Sequence, residues 1–298
     1  MDLSGVYPAL TTPFAADGSV WVAGIKHNIE RYNSTGLKGY VAMGSTGESV
    51  LLSSDEWETV LVAVKEAAGP GMRLIAGTGA ESTAETIERT KRAAELRYHV
   101  ALVKTPHYYK PAYKPDVFIG HYRRVADASP IPVLLYSVPV FTGVTLEAPE
   151  IAVLAQHPNI IGIKDSSGHV LRVVETVAAV PPDFQVLVGS APTLLASMTV
   201  GAHGAIFALA SALPEMCVAL YELIRQGQLD KAREQQKIVL KASAAIVSEA
   251  GIAGVKFVMD QRGYRGGIPR LPLVPPSDAA KRRMLEMLAT LEPAAARV

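Results

Sequence analysis

Cysteine is almost missing from this chain, and the single Cys217 cannot close an internal disulfide, which excludes a disulfide framework as a source of stability. It sits in the apolar run Met216-Cys217-Val218-Ala219-Leu220 with no histidine or asparagine companion arranged nearby, and so reads as a buried helix residue instead of a nucleophile. Neither sign of charge dominates. The 29 Lys and Arg nearly balance the 28 Asp and Glu, so no cationic surplus exists to meet a phosphate backbone, and nucleic acid is not an expected partner. Apolar runs of membrane length are also lacking. The one stretch that could pass for a span, 194–213, is interrupted by Gly201, His203 and Gly204 and is better read as helix, turn and buried strand, so no membrane is expected. The start, Met1-Asp2-Leu3-Ser4-Gly5, has no basic segment leading into an apolar core, and with the reduced lone cysteine it reads as a cytoplasmic protein. Its seven histidines are scattered and none forms a compact ligand spacing with carboxylates, so no metal site is expected. A Walker loop and a G-x-G-x-x-G after the first strand are absent too, which argues against a nucleotide cofactor.

What the chain does have is a rhythm. Eight short apolar runs, at 6–10, 40–43, 74–76, 100–103, 133–136, 160–163, 186–188 and 205–208, are each followed by an amphipathic stretch. Continuous apolarity, without alternation, suits parallel strands buried on both faces. Ser53-Ser54-Asp55-Glu56 and Ser82-Thr83-Ala84-Glu85 are capping-box starts for two of the intervening helices. Eight βα pairs predict an α/β fold, a closed (β/α)8 TIM barrel over 1–213, with its chemistry at the C-terminal ends of the strands. From there only helix signals remain, at 214–226, 229–249, 252–262 and 276–290. With no linker between them, 214–298 is expected to be a C-terminal helical appendage packed on the barrel within a single structural unit.

Four strand ends carry candidate chemistry. The sixth reads Ile160-Ile161-Gly162-Ile163-Lys164-Asp165-Ser166-Ser167-Gly168 and takes an amine into the barrel. Burial disfavours an ammonium, and an uncharged amine is what must attack a ketone to form an imine. Position alone equally allows Lys164 to reach solvent and pair with Asp165. Lys104, ending the fourth strand in Val103-Lys104-Thr105-Pro106, is a rival that periodicity cannot separate from Lys164. The loop after Lys164 is small and flexible, whereas Lys104 runs into Thr-Pro and aromatics. The second strand ends Met43-Gly44-Ser45-Thr46-Gly47-Glu48-Ser49, which is either an ordinary turn or a cradle of N–H groups and hydroxyls for a carboxylate. The fifth ends Tyr136-Ser137-Val138-Pro139, where a phenol either moves protons or caps the core. His107-Tyr108-Tyr109 reads as loop packing or a subunit contact.

Together, Gly44-Ser45-Thr46-Gly47-Glu48-Ser49, Thr105-Pro106-His107-Tyr108-Tyr109, Tyr136-Ser137-Val138-Pro139 with Thr142-Gly143, and Gly162-Ile163-Lys164-Asp165 stand in the order and spacing of one family. The chain resembles the dihydrodipicolinate synthase and N-acetylneuraminate lyase family of class I aldolases over essentially its whole length. That resemblance implies a pyruvate-dependent carbon–carbon lyase that needs no cofactor beyond a covalent imine. It also implies a homotetramer built as a dimer of dimers. It assigns Lys164 to the imine, Tyr136 to proton relay, and Ser45 and Thr46 to the 2-oxo acid carboxylate and the same relay. Tyr108 resembles the tyrosine lent across the dimer interface, and Gly189 and Ile206 fall at pocket-lining positions. Lys104 has no such role.

Substrate is where the chain departs from the synthases. They carry an arginine in the loop after the tyrosine, for the carboxylate of the incoming aldehyde, and here Phe141 stands in its place. The motif wording is closest to 4-hydroxy-2-oxoglutarate aldolases, which yield pyruvate and glyoxylate, and Ser166 then becomes a candidate contact for the second carboxylate. Dihydrodipicolinate synthesis, sugar-acid cleavage or dehydration, and non-catalytic binding of a 2-oxo acid are the alternatives.

Overall fold

Each apolar run forms a parallel strand within one or two residues of its sequence limits. The computed structural model describes residues 1–295, so the last three residues of the expected helical region lie outside it. The strands are β1 Gly5–Pro8, β2 Gly39–Ala42, β3 Arg73–Gly77, β4 Val100–Lys104, β5 Val133–Ser137, β6 Ile160–Asp165, β7 Gln185–Val188 and β8 Gly204–Phe207. They pair in the order β1-β8-β7-β6-β5-β4-β3-β2. The two ends of that sheet meet where the Leu10 N–H donates to the Val41 carbonyl at 2.9 Å, beside a parallel bridge between Ala9 and Val41. This is a (β/α)8 barrel.

Between the strands lie α1 Val22–Tyr32, α2 Ser54–Ala67, α3 Thr83–Glu95, α4 Pro115–Ala128, α5 Pro139–Thr142, α6 Ala148–Leu154, α7 Val170–Ala179 and α8 Leu194–Thr199. After β8 come α9 Leu209–Ala212, α10 Pro214–Arg225, α11 Leu229–Ser243, a π-helical turn Ala244–Ser248, α12 Glu249–Gln261 and α13 Asp278–Ala295. Strand side chains alternate between two cores. Tyr7, Val41, Ile75, Leu102, Leu134, Tyr136, Leu187 and Ile206 fill the barrel interior, while Tyr40, Leu74, Val103, Leu135, Ile163 and Val186 pack against the helices. Both faces are therefore dry, which is why the strands read as unbroken apolar runs.

Local signals hold in part. Ser53 and Glu56 form the full capping box that starts α2. At α3 only half of the expected box forms: the Ser82 hydroxyl accepts from the Glu85 N–H, but the Glu85 carboxylate is drawn to Arg89, 2.7 Å away and one turn on. Cys217 is buried in α10, and burial pushes its thiol up. One sequence reading needs correction. Among the described residues it is the helical run Leu229–Gln261, and not 194–213, that is long and apolar enough to cross a membrane by length and composition. The run is broken, however, by the π-helical turn and by Gly251 (φ 56°), and Val239, Ala242, Ile246, Val255 and Val258 on its inner face belong to the core. Expected limits at 249 and 252 missed the π turn, because its wider hydrogen-bonding has no composition signature.

His121 on α4 is buried; its Nδ1 lies 3.0 Å from the Thr83 hydroxyl, and its Nε2 has no partner among the described residues. Burial first, then Lys104, push this imidazole down to about 4. Below its unfolded value near 6.5 the unfolded chain takes up a proton that the folded chain refuses, so stability falls as pH drops through the window from 6.5 to 4. Wild type is expected to lose on the order of 2–3 kcal/mol across that window relative to His121→Asn. Urea midpoints for the two proteins that ran parallel from pH 7 to pH 4 would rule this out.

Candidate active site

Strand register gathers the candidate residues. β4 and β5 pair Lys104 with Tyr136, and β5 and β6 pair Tyr136 with Lys164 and Ser137 with Asp165. Because Leu102 and Leu134 face the barrel interior, and Ile163 faces outward, the row Lys104–Tyr136–Lys164 starts inward at the strand ends. The β6 strand leaves the interior room for this by having Gly162, where a Cβ would meet the Gln185 carbonyl oxygen at 2.2 Å.

The two lysines then part. Lys104 reaches Glu81, 3.2 Å away, in a cluster with His107. Lys164 is 3% exposed, and its nitrogen makes no hydrogen bond or salt bridge among the described residues. That nitrogen lies 4.2 Å from the centre of the Tyr136 ring, at the wall of a cavity of about 470 Å³. Asp165 is not its partner. One Asp165 oxygen accepts from the Ser167 N–H at 2.7 Å and the other lies 3.5 Å from the Arg172 Nε, so the carboxylate shapes the following turn. The solvent-reaching alternative for Lys164 is thereby excluded.

The same cavity is lined by Ser45, Thr46, Tyr136, Ser166, Gly189 and Ile206. Ser45 and Thr46 ride on a 3-10 turn, Ser45–Gly47, whose Gly47 and Glu48 N–H groups are spent on Gly44 and Ser45 carbonyls. The Ser45 hydroxyl is 3.3 Å from the Tyr136 hydroxyl, so in this chain Ser45, more directly than Thr46, extends the tyrosine's reach. Gly189 donates its N–H to the Asp165 carbonyl at 2.7 Å, and a Cβ there would overlap the Ser166 hydroxyl at 1.8 Å. Only glycine lets the turn after Lys164 lie over the end of β7.

Tyr108 is not among these residues. It is 74% exposed, edge-on to Tyr109, and its N–H and that of His107 each donate to Glu81 Oε2 at 2.9 Å. Its backbone is thus tied down while its phenol points off this subunit's surface. Lys104 and His107 instead line a second cavity of about 310 Å³, which shares Ser45, Tyr136, Val138, Phe141 and Ile252 with the first. Phe141 is 63% exposed at the rim. Among the described residues, and apart from Lys164 and the Tyr136 phenol, no ionisable side chain lines the first cavity, only apolar groups and the hydroxyls of Ser45, Thr46, Ser166, Ser190, Ser243 and Ser248.

Two contributions were missed in the sequence. The C-terminal helices are part of the cavity wall, through Ser243, Val247, Ser248, Gly251 and Ile252. A buried ion pair, Glu48 to Lys256, lies behind the Ser45–Gly47 turn at 2.5 Å. Burial pushes the Lys256 ammonium down, with Glu48 pulling the other way. Next to it Arg270 makes two bonds to Glu56, at 2.6 and 2.7 Å, and holds that carboxyl down to about 2. A lone lysine in the apolar stretch Ala253-Gly254-Val255-Lys256-Phe257-Val258 was the available signal.

Comparison with known proteins agrees with this geometry. Residues 2–291 match the model of the dihydrodipicolinate synthetase family. A 4-hydroxy-tetrahydrodipicolinate synthase of an Exiguobacterium species is 39% identical over 289 residues, 96% of this chain and 97% of that one. A probable mitochondrial 4-hydroxy-2-oxoglutarate aldolase of Emericella nidulans is 36% identical over 278 residues, covering 92% and 90%. Among solved structures, the dihydrodipicolinate synthase of Acinetobacter baumannii complexed with pyruvate superposes with a TM-score of 0.91 at 31% identity, over 96% of this chain and 98% of that one. With motif order, barrel and near-complete coverage all in agreement, this chain belongs to the dihydrodipicolinate synthetase family.

Proposed function

We propose that this enzyme uses Lys164 to form an imine with a 2-oxo acid and so makes or breaks the bond between pyruvate and an aldehyde, with 4-hydroxy-2-oxoglutarate, cleaved to pyruvate and glyoxylate, as its substrate. The observation that carries the proposal is a buried amine, free of any acidic partner, 4.2 Å from a tyrosine ring inside a cavity of about 470 Å³. In its uncharged form the Lys164 amine adds to C2 of the 2-oxo acid, and the carbinolamine hydroxyl takes a proton from Tyr136 and leaves as water, giving an iminium and the Tyr136 phenolate that accepts the next proton. As the C3–C4 bond breaks, its electron pair flows into the iminium to leave an enamine, while the C4 hydroxyl gives its proton to Tyr136 and becomes the aldehyde. Protonation at C3 and addition of water then release pyruvate and restore the amine. The iminium is the electron sink, so the chemistry needs no added cofactor. Ser45 and Thr46, through hydroxyls and the two amides not spent inside their turn, take the C1 carboxylate.

For the second carboxylate the donors on offer are hydroxyls, Ser166 foremost, because among the described residues no guanidinium or second ammonium lines this cavity. A second reading, condensation of pyruvate with aspartate semialdehyde, is favoured by the Exiguobacterium relative at 39% identity. Phe141 speaks against it, since an aromatic ring cannot replace a bidentate clamp. Tyr108, tied at its backbone and exposed at its phenol, is assigned to the relay of a neighbouring subunit in a dimer-of-dimers tetramer.

The deciding measurement is a coupled assay across hydroxyoxoglutarate, aspartate semialdehyde with pyruvate, and sugar-derived 2-oxo acids, with glyoxylate and pyruvate determined separately. Equal release of glyoxylate and pyruvate is the expected outcome. Turnover of aspartate semialdehyde alone would select the second reading, and no product from any of them would leave a 2-oxo acid binding protein.

A further inference from the structure

The turn that carries Ser45 and Thr46 is bounded by two residues in a conformation side chains disfavour: Met43 at φ 60° and Glu48 at φ 56°, neither of them glycine. Local forces do not hold such a turn, so its support must come from tertiary contacts. Directly behind it the Thr12 hydroxyl donates to the Gly47 carbonyl at 2.7 Å. Glu48, with its side chain wholly buried, faces Lys256, itself 1% exposed, at 2.5 Å. The other Glu48 oxygen accepts from the Arg270 N–H at 2.8 Å, and Lys256 also donates to the Ile268 carbonyl at 2.8 Å over the face of Phe14. Within this cluster Glu48 Oε1 has the Lys256 ammonium as its one partner among the described residues, so the carboxylate depends on that lysine.

Neither charged side chain lines the cavity that holds Lys164. What they join does line it. Glu48 ends the turn of Ser45 and Thr46, and Lys256 stands one turn beyond Gly251 and Ile252, which form part of the opposite wall. Burying two charges is a poor way to gain stability, because apolar replacements of equal volume commonly do as well or better. What an ion pair with this many fixed partners supplies is a single geometry.

We propose that the Glu48–Lys256 pair consists of positioning residues, which fix the Ser45–Thr46 turn against the α12 wall so that the turn meets the carboxylate of a 2-oxo acid held on Lys164. This rests on the imine reading above. Loss of the pair displaces the carboxylate cradle and leaves the amine where it is, so pyruvate is held more weakly while the imine still forms at saturation.

The test uses the full-length protein with Glu48→Gln, Lys256→Met and the double substitution, which leaves no lone buried charge. Borohydride trapping is read by intact mass against pyruvate concentration, together with the melting temperature. In the folded double variant the half-saturating pyruvate is expected to rise about ten-fold or more, with maximal labelling retained. Trapping with acetone, which offers the ketone and no carboxylate, is expected to be the same in wild type and double variant, and Lys256→Arg is expected to recover part of the pyruvate affinity. Unchanged half-saturation in a folded double variant, an equal loss with acetone, or a double variant that does not fold overturns the positioning role. A wild-type protein that pyruvate never labels fails at an earlier step and removes the imine reading itself.

Discussion

Lys164→Met is expected to lower turnover by about 10⁴-fold or more and to abolish borohydride-dependent addition of the pyruvyl group. Methionine keeps most of the side-chain volume in a site where Lys164 is 3% exposed, and the lysine nitrogen has no partner there to be left unpaired. The variant should therefore fold, and what it lacks is the nucleophile. Lys104 cannot stand in, although it occupies the same row at the end of the adjacent strand pair, because its ammonium is engaged by Glu81 at 3.2 Å outside the cavity that holds Lys164. Peptide mass mapping after borohydride treatment checks both statements at once. Label found on Lys104, or full activity in Lys164→Met, would defeat the proposed chemistry.

Tyr136→Phe should slow the reaction by about 10² to 10⁴, the usual contribution of a positioned proton donor and acceptor. The ring would remain, and with it the 4.2 Å contact to the Lys164 nitrogen that shapes the cavity floor. What disappears is the hydroxyl that stands 3.3 Å from the Ser45 hydroxyl. Proton transfers to the carbinolamine and from the C4 hydroxyl both pass through that position in the proposed scheme, so the rate falls at each, while the amount of imine reached at equilibrium stays close to wild type. Rapid-quench trapping separates the two quantities. A slow approach to undiminished labelling is the expected record; fast labelling with normal turnover would show that the phenol only caps the barrel core.

The elements of the fold were legible because a barrel strand is buried on both faces, and a run such as 133–136 or 186–188 has no other use in a chain of balanced charge. The capping box at Ser53 was legible for a similar reason: its partners are three residues apart, and although Arg270 binds both Glu56 oxygens, Oε2 still accepts from the Ser53 N–H. At Ser82 the same pattern failed on one side because Arg89 outbids a backbone N–H for the Glu85 carboxylate.

The choice between Lys104 and Lys164 was not legible from the residues alone. Register sets them in one row with Tyr136, and both end apolar strands. Family resemblance favoured Lys164, and the structure supplies the physical reason: Glu81, from the loop before α3, removes one ammonium, and Arg172 on α7 turns Asp165 away from the other. The same holds for Glu48 and Lys256, which look like a motif residue and an oddly placed helix lysine until folding brings them to 2.5 Å. By itself, then, the sequence determined the barrel and which polar side chains end its strands, where the proposed chemistry is placed, since those follow from local apolar patterning and chain order. Which amine stands free, which carboxylate takes up its rival and what steadies the Ser45–Thr46 turn were decided only in the tertiary structure, because charges choose their partners by distance in space, and Lys104 and Glu81, like Glu48 and Lys256, are far apart in the chain.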